Sequence, residues 1–278
     1  MFWLVLPFLR LFHNGFDLMN TPDYVDFHCH IHFSRYDDDR NEVLARMREN
    51  NIWAIAVGTD EKQSQDALRL AQKHDCLYAT AGLHPADNTK ESFETSFYET
   101  LISDKKTVMV GECGLDYYHI KEKDEQARQR KEFEKQIDFA VLYDKPLMLH
   151  VREAHKDALD MLSSKKKAYG EKLRGNTHFF TESPDIAKQY YELEFTTSFP
   201  GVITFTREYD DTVRYAPPNM ILSETDSPYA APIPHRGKRN EPSYVIEVVK
   251  RIAEIRNEDI EKLKKQIVKN AMKVISRG

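Results

Sequence analysis

From Tyr24 onward, short apolar runs alternate with longer charged segments in which apolar residues recur at helical spacing. The runs predict strands over 24–28, 54–58, 78–82, 107–112, 147–151, 176–180, 195–199 and 221–225. Helix-period stretches separate them, among others 41–50, 63–74, 124–143 and 183–191, while 241–256 and 257–276 close the chain. Strands that alternate with helices pair in parallel through crossover connections. Repetition of that unit over about 250 residues predicts an α/β protein, a single-domain (β/α)8 TIM barrel. An open doubly wound sheet is the alternative, but no GxGxxG follows the first strand. No linker, low-complexity segment or internal repeat divides the chain.

Residues 1–22 stand apart from this pattern. The stretch MFWLVLPFLRLFHNGFDL is apolar at its start but is broken by Pro7, Arg10 and His13, far short of the ~20 residues of a membrane span. It lacks the early positive charge and the small-residue cleavage site of a signal peptide. The expectation is an extension over 1–22, an over-extended start or an added arm, ahead of a barrel over 23–278. The 278 residues are 41% hydrophobic and 31% charged, which fits a globular protein without membrane spans. A formal net charge of −5 excludes a general polycation that coats duplex DNA. It leaves room for an acidic site whose local charge is changed by bound divalent cations. Three scattered cysteines, Cys29, Cys76 and Cys113, form no CxxC and no disulfide framework, so a reducing, cytoplasmic setting is expected.

Chemistry concentrates where a barrel places its active site, at the C-terminal ends of the strands. The first strand ends in His28-Cys29-His30, and residues two apart on a strand share a face. The two imidazoles can therefore reach one point while Cys29 turns away. Other strand ends carry His84, Glu112, His150, His178 and Asp226. Together His28, His30, Glu112, His150, His178 and Asp226 offer four imidazoles and two carboxylates. One tetrahedral catalytic ion takes three protein ligands and keeps a water position. The larger set suits two ions about 3.5–4 Å apart, with a carboxylate able to bridge them. Nitrogen and oxygen donors without thiolate favour Zn²⁺, Mn²⁺, Fe²⁺ or Co²⁺, and Mg²⁺ suits imidazole less well but fits an ion with fewer histidines.

The blocks DFHCHIHF, TAGLHP, VGECGLDYY, LMLHVREAH, THFF and LSETDSPYAAP…RGKRNEP make the resemblance specific. In order and spacing they resemble the TatD family of metal-dependent deoxyribonucleases, over nearly the whole chain from about Tyr24. The resemblance implies an amidohydrolase-like TIM barrel that acts on DNA phosphodiesters. It implies one metal held by His28, His30, Glu112 and Asp226, and a second held by Glu112, His150 and His178. Two departures stand out. Phe179-Phe180-Thr181-Glu182 replaces the family's usual Cys-Phe-Ser-Gly, which predicts a stiffer, more acidic loop. Val151 replaces a usual Ser after His150.

Asp226 and Glu112 are the expected catalytic carboxylates, Asp226 as the base that takes a proton from water. Glu224, two residues earlier on the same strand face, is expected to orient a ligand histidine or to form a structural salt bridge. Arg152, Arg236, Lys238 and Arg239 suit phosphate oxygens. His84 is read as a substrate contact or a cap, and Tyr117 with Tyr118 as a stacking surface for a terminal base. His13, His32, His74, His119, His155 and His235 receive no role. The resulting expectation is a 3′→5′ exonuclease acting on single-stranded or frayed DNA ends, a monomer, without membrane association. A metal-dependent hydrolase of a small ester, lactone or amide is the first alternative. A noncatalytic, metal-stabilised interaction protein is the second.

Overall fold

Eight strands run in chain order around one parallel sheet, each joined to the next through helical or turn segments. The computed structural model describes residues 21–276. The first half comprises β1 (Tyr24–Cys29), α1 (Arg40–Glu49), β2 (Ile52–Ala56), α2 (Glu61–Ala71), β3 (Leu77–Ala81), α3 (Thr95–Ile102), β4 (Thr107–Asp116) and α4 (Lys123–Leu142). The second comprises β5 (Leu147–Arg152), α5 (His155–Tyr169), β6 (Gly175–Thr177), α6 (Pro184–Glu192), β7 (Phe195–Phe199), α7 (Asp210–Tyr215), β8 (Ile221–Ser223), α8 (Val245–Arg256) and α9 (Ile260–Ile275). This is the (β/α)8 architecture expected from the alternation. The expected extension over 1–22 lies almost wholly outside the described residues. No helix among the described residues is long and apolar enough to cross a membrane.

β1 and β8 close the ring by a seam. Cys29 bridges Ser227 in parallel, His30 N donates to Ser227 O at 2.7 Å and Asp226 N donates to His28 O at 2.9 Å. The fully buried Asp26 carboxylate accepts from Thr225 N at 2.8 Å and Thr225 Oγ1 at 2.6 Å. Burial pushes this carboxyl well above its ordinary range, against the pull of the Thr225 bonds. α9 braces the seam from outside. Its Leu263, Ile267, Ala271 and Val274 are buried at spacings of three and four residues, and it packs on both β1 and β8. The Asp259 side chain starts that helix by accepting from Lys262 N at 2.9 Å.

Strand limits differ from the sequence expectation in ways that shape the site. β4 extends four residues beyond 107–112, because it pairs again with β5 after a register shift between Val110 and Cys113. Gly111 and Gly114, at φ 143° and 140°, make this possible. A Cβ on Gly111 would stand 2.4 Å from Met148 O, and one on Gly114 would stand 2.1 Å from His150 O. β6 and β8 instead stop early, at Thr177 and Ser223. His178 and Asp226, expected from the sequence as ligands, therefore sit on the first turn beyond the sheet, where Phe179 and Asp226 adopt left-handed φ of 48° and 52°. α8 begins at Val245, after a short 3-10 turn over Pro242–Tyr244, rather than at 241.

Candidate metal centre

The strand ends bring His28, His30, Glu112, His150, His178 and Asp226 to one place at the barrel mouth. Glu112 stands in the middle and turns its two oxygens to opposite sides. Oε2 lies 3.4 Å from His28 Nε2 and 3.8 Å from His30 Nε2. Asp226 Oδ1 completes that group at 3.6 Å from each of the same two nitrogens, which are themselves 3.2 Å apart. Glu112 Oε1 faces the other way, 2.9 Å from His150 Nδ1 and 2.7 Å from His178 Nε2. The His28 and His178 rings stack between the two groups, with centroids 3.8 Å apart.

The donor chemistry fits divalent cations. His30 Nδ1 meets Val57 O at 2.9 Å, which places its proton there and leaves the Nε2 lone pair toward the centre. His150 Nε2 meets Asp116 Oδ2 at 2.9 Å, so its Nδ1 lone pair likewise faces Glu112. His178 Nδ1 lies 3.5 Å from Glu224 Oε1, and its Nε2 is again the inward atom. Lone pairs that converge this closely repel unless a cation or a proton stands between them. A tetrahedral ion with bonds of about 2.1 Å separates its ligand atoms by roughly 3.4 Å, and the donors around His28 span 3.2–3.8 Å. The His/Glu clusters are thus able to hold metal.

Burial and the neighbouring charges shift the titratable groups of the centre in opposite directions. Burial raises Glu112, but the surrounding His178, His28 and His84 hold it well below the usual carboxylate range. Burial likewise opposes charge on His178 and His150, yet the Glu112 charge, with Glu224 behind one ring and Asp116 behind the other, drives both upward. His28 goes the other way, lowered to about 3 by burial and by its stacked neighbour His178.

Two carboxylates back the second group. Glu224, fully buried, accepts from Phe179 N at 2.7 Å and from Ser198 Oγ. It is tied through Ser198, Asn176 and Thr196 into the polar layer inside the barrel. Asp116 stands at the end of the strand-four block, four residues beyond the predicted strand 107–112, and receives no role from the sequence. The continuing two-residue period Glu112, Gly114, Asp116 was the available signal. Asp116 is fully buried and also accepts from His119 N and His119 Nδ1, both at 2.7 Å. Burial works against its charge, but the His150 and His119 bonds hold it far below the usual range.

The centre floors a cleft of about 680 Å³, and His84, Arg152, His119, His155, Phe179 and Tyr229 are among its walls. His84 caps the loop that follows it and lines the cleft. Its Nδ1 accepts from Ala86 N at 3.2 Å and Asp87 N at 3.1 Å, while Nε2 stands 3.6 Å from Glu112 Oε1. Arg152 lines the cleft. Arg236, Lys238 and Arg239 are not brought to it. Arg239 is bonded to Asp39 Oδ2 and Arg35 O, and Arg236 stacks on Phe205 and bonds Ala231 O. These contacts turn both guanidinium groups to the protein's own surface. Tyr117 also lies off the cleft, its hydroxyl bonded to Asp157 at 2.8 Å and Arg130 at 2.7 Å. Its neighbour Tyr118 is the exposed ring. Cys29 and Cys113 are buried free thiols that face away from the donors.

Comparison with known proteins agrees with this geometry. The family model "TatD related DNase" matches residues 25–276. An uncharacterized metal-dependent hydrolase of Bacillus subtilis, YabD, is 33% identical over 253 residues, covering 90% of this chain and 97% of the relative. An uncharacterized metal-dependent hydrolase of Mycoplasma genitalium, MG009, is 34% identical over 264 residues, covering 91% and 98%. Among solved structures, YjjV, a TatD homologue from Escherichia coli K12, superposes with a TM-score of 0.83 at 26% identity, covering 91% of this chain and 98% of its own. The chain belongs to the TatD family of metal-dependent hydrolases.

Proposed function

We propose that this hydrolase cleaves DNA phosphodiester bonds, removing nucleotides from the 3′ ends of single-stranded or frayed DNA with two divalent ions, Zn²⁺, Mn²⁺ or Mg²⁺. The observation that carries the reading is Glu112, whose two oxygens serve two separate nitrogen and oxygen donor sets in one open cleft. His28, His30, Asp226 and Glu112 Oε2 would hold one ion; Glu112 Oε1, His150 Nδ1 and His178 Nε2 would hold the other. When bound, such a pair supplies positive charge that acidifies water and offsets charge on the phosphate oxygens. Asp226 would take the water's proton. What supports this is exposure: its side chain is 15% exposed, against 4% for Glu112 and 0% for Asp116 and Glu224, the most open of the four central carboxylates. Asp116 and Glu224 hold His150 and His178 in register. His84 Nε2 and the Arg152 guanidinium face the cleft as donors for phosphate oxygens. The TatD DNase family name supports DNA as the substrate class.

Unpaired oligonucleotides labelled at the 5′ or the 3′ end test this reading, with each of the three metals and a chelator control. The expected result is a metal-dependent ladder of shortened 5′-labelled strands, with the 3′ label released first as a mononucleotide. Turnover of carboxylic esters or lactones with intact oligonucleotides would reject it.

A further inference from the structure

Two exposed tyrosines flank the cleft, and each is stacked with an arginine. On one wall the Arg152 guanidinium, at the end of β5, lies 4.0 Å from the ring centre of Tyr118, which follows β4. On the other wall Tyr229 follows β8, and the Arg35 guanidinium, from the segment after β1, lies 5.2 Å from its ring centre. The strands run in chain order around the barrel, so β4–β5 and β8–β1 are half a turn apart. The donor cluster around Glu112 lies between them. Of the two pairs, Arg152 lines the cleft on one side and Tyr229 on the other.

Both walls are held from behind. Tyr229 N donates to Asp226 O at 2.9 Å and its carbonyl accepts from Asn240 Nδ2 at 2.6 Å, which pins the backbone while 43% of the residue stays exposed. Tyr118 is 46% exposed and packs edge-on against His119, whose own position is set by the buried Asp116. Neither Arg152 nor Arg35 has an ion pair among the described residues, although carboxylates are plentiful at the mouth. Aromatic faces and guanidinium planes are the surfaces on which unpaired bases stack, and a free guanidinium also serves the adjoining phosphate.

We infer that the Arg152–Tyr118 and Tyr229–Arg35 pairs are two base platforms that grip one nucleotide on each side of the scissile phosphate. The inference rests on the phosphodiesterase reading and deepens it. The recognised unit is an unpaired dinucleotide step, so duplexed ends must fray before they enter. Binding of an unpaired oligonucleotide is measured by fluorescence anisotropy on the full chain loaded with Mn²⁺, with Asp226→Asn present to slow turnover. Tyr229→Ala and Arg152→Ala should each weaken binding by about 10- to 100-fold, the scale of base stacking. Tyr229→Phe should restore it, and Arg152→Lys should not. Abasic residues supply the decisive cycle. One abasic nucleotide beside the scissile bond should cost the unsubstituted platform the same factor, and should cost nothing further once the platform on its side is removed.

Fully additive losses, or equal affinity of Tyr229→Ala and Tyr229→Phe, would overturn the platforms. Should an alanine variant fail to fold, the Phe and Lys variants with the abasic strands decide alone. The two readings fail differently. A native chain that cleaves no oligonucleotide with any of the three metals overturns the phosphodiesterase; one that cleaves, with affinities unmoved by these substitutions, overturns only the platforms.

Discussion

The two donor groups around Glu112 are built on different supports. His28 and His30 come from a single strand, and the nitrogen behind His30 is held by a backbone carbonyl, Val57 O. His150 and His178 come from separate strands, and the nitrogen behind each faces a buried carboxylate, Asp116 or Glu224. A carboxylate behind an imidazole makes the inward nitrogen a stronger donor than a carbonyl does. It also brings negative charge that does not contact the ion. The first group obtains its second charge directly, from Asp226, which is also the open carboxylate of the cleft. On the proposed reading, one side of the centre would serve proton transfer and the other retention of an ion. The difference teaches that equal-looking His pairs on a barrel rim are set apart by what stands behind them.

Removal of the shared member should erase the contrast. Glu112→Ala is expected to lower metal content on both sides and to reduce activity more than any other single change at the centre. Metal analysis beside kcat checks it, and retention of one full ion per chain would show that Glu112 serves only one side. Asp226→Asn keeps shape and one oxygen ligand but loses the basic oxygen. Activity should fall by about 10²–10⁴-fold with metal still bound. Near-normal kcat at full metal content would end its role as the base.

Changes behind the ligands are smaller and should be one-sided. Asp116→Asn and Glu224→Gln should each lower affinity for one ion by about 10- to 100-fold, with activity recovered in excess metal. Competition with a metallochromic chelator reads this as one weakened site and one unchanged site; weakening of both would remove the asymmetry. The smallest effect belongs to Arg239→Ala. Its partner Asp39 is a partly exposed carboxylate, and such surface pairs contribute about 0–1 kcal/mol. A small drop in Tm with an unchanged salt dependence of DNA binding is expected. A flattened salt slope would return the loop beyond β8 to the substrate path.

The alternation of apolar runs and helix-period segments determined the barrel, because a parallel βα repeat has few ways to bury both strand faces. It also determined which strand ends carry His, Glu and Asp, since those residues stand at pattern boundaries that are visible in one dimension. The two-residue spacing of His28 and His30 set their shared face in the same way. The tertiary structure decided the rest. The bulge that lengthens β4 depends on how closely Gly111 and Gly114 approach β5, so the two-residue period could give Asp116 its face but not its partner His150. Arg152 and Arg239 look alike in sequence, yet one faces an open cleft and the other meets Asp39, a residue 200 positions away. Tyr117 and Tyr118, adjacent in sequence and read alike, part for the same reason: the Tyr117 hydroxyl is claimed by Asp157 and Arg130, while the Tyr118 ring stays exposed. Local pattern reports which face a residue can occupy, whereas the partner that claims its charge or ring comes from a distant part of the chain.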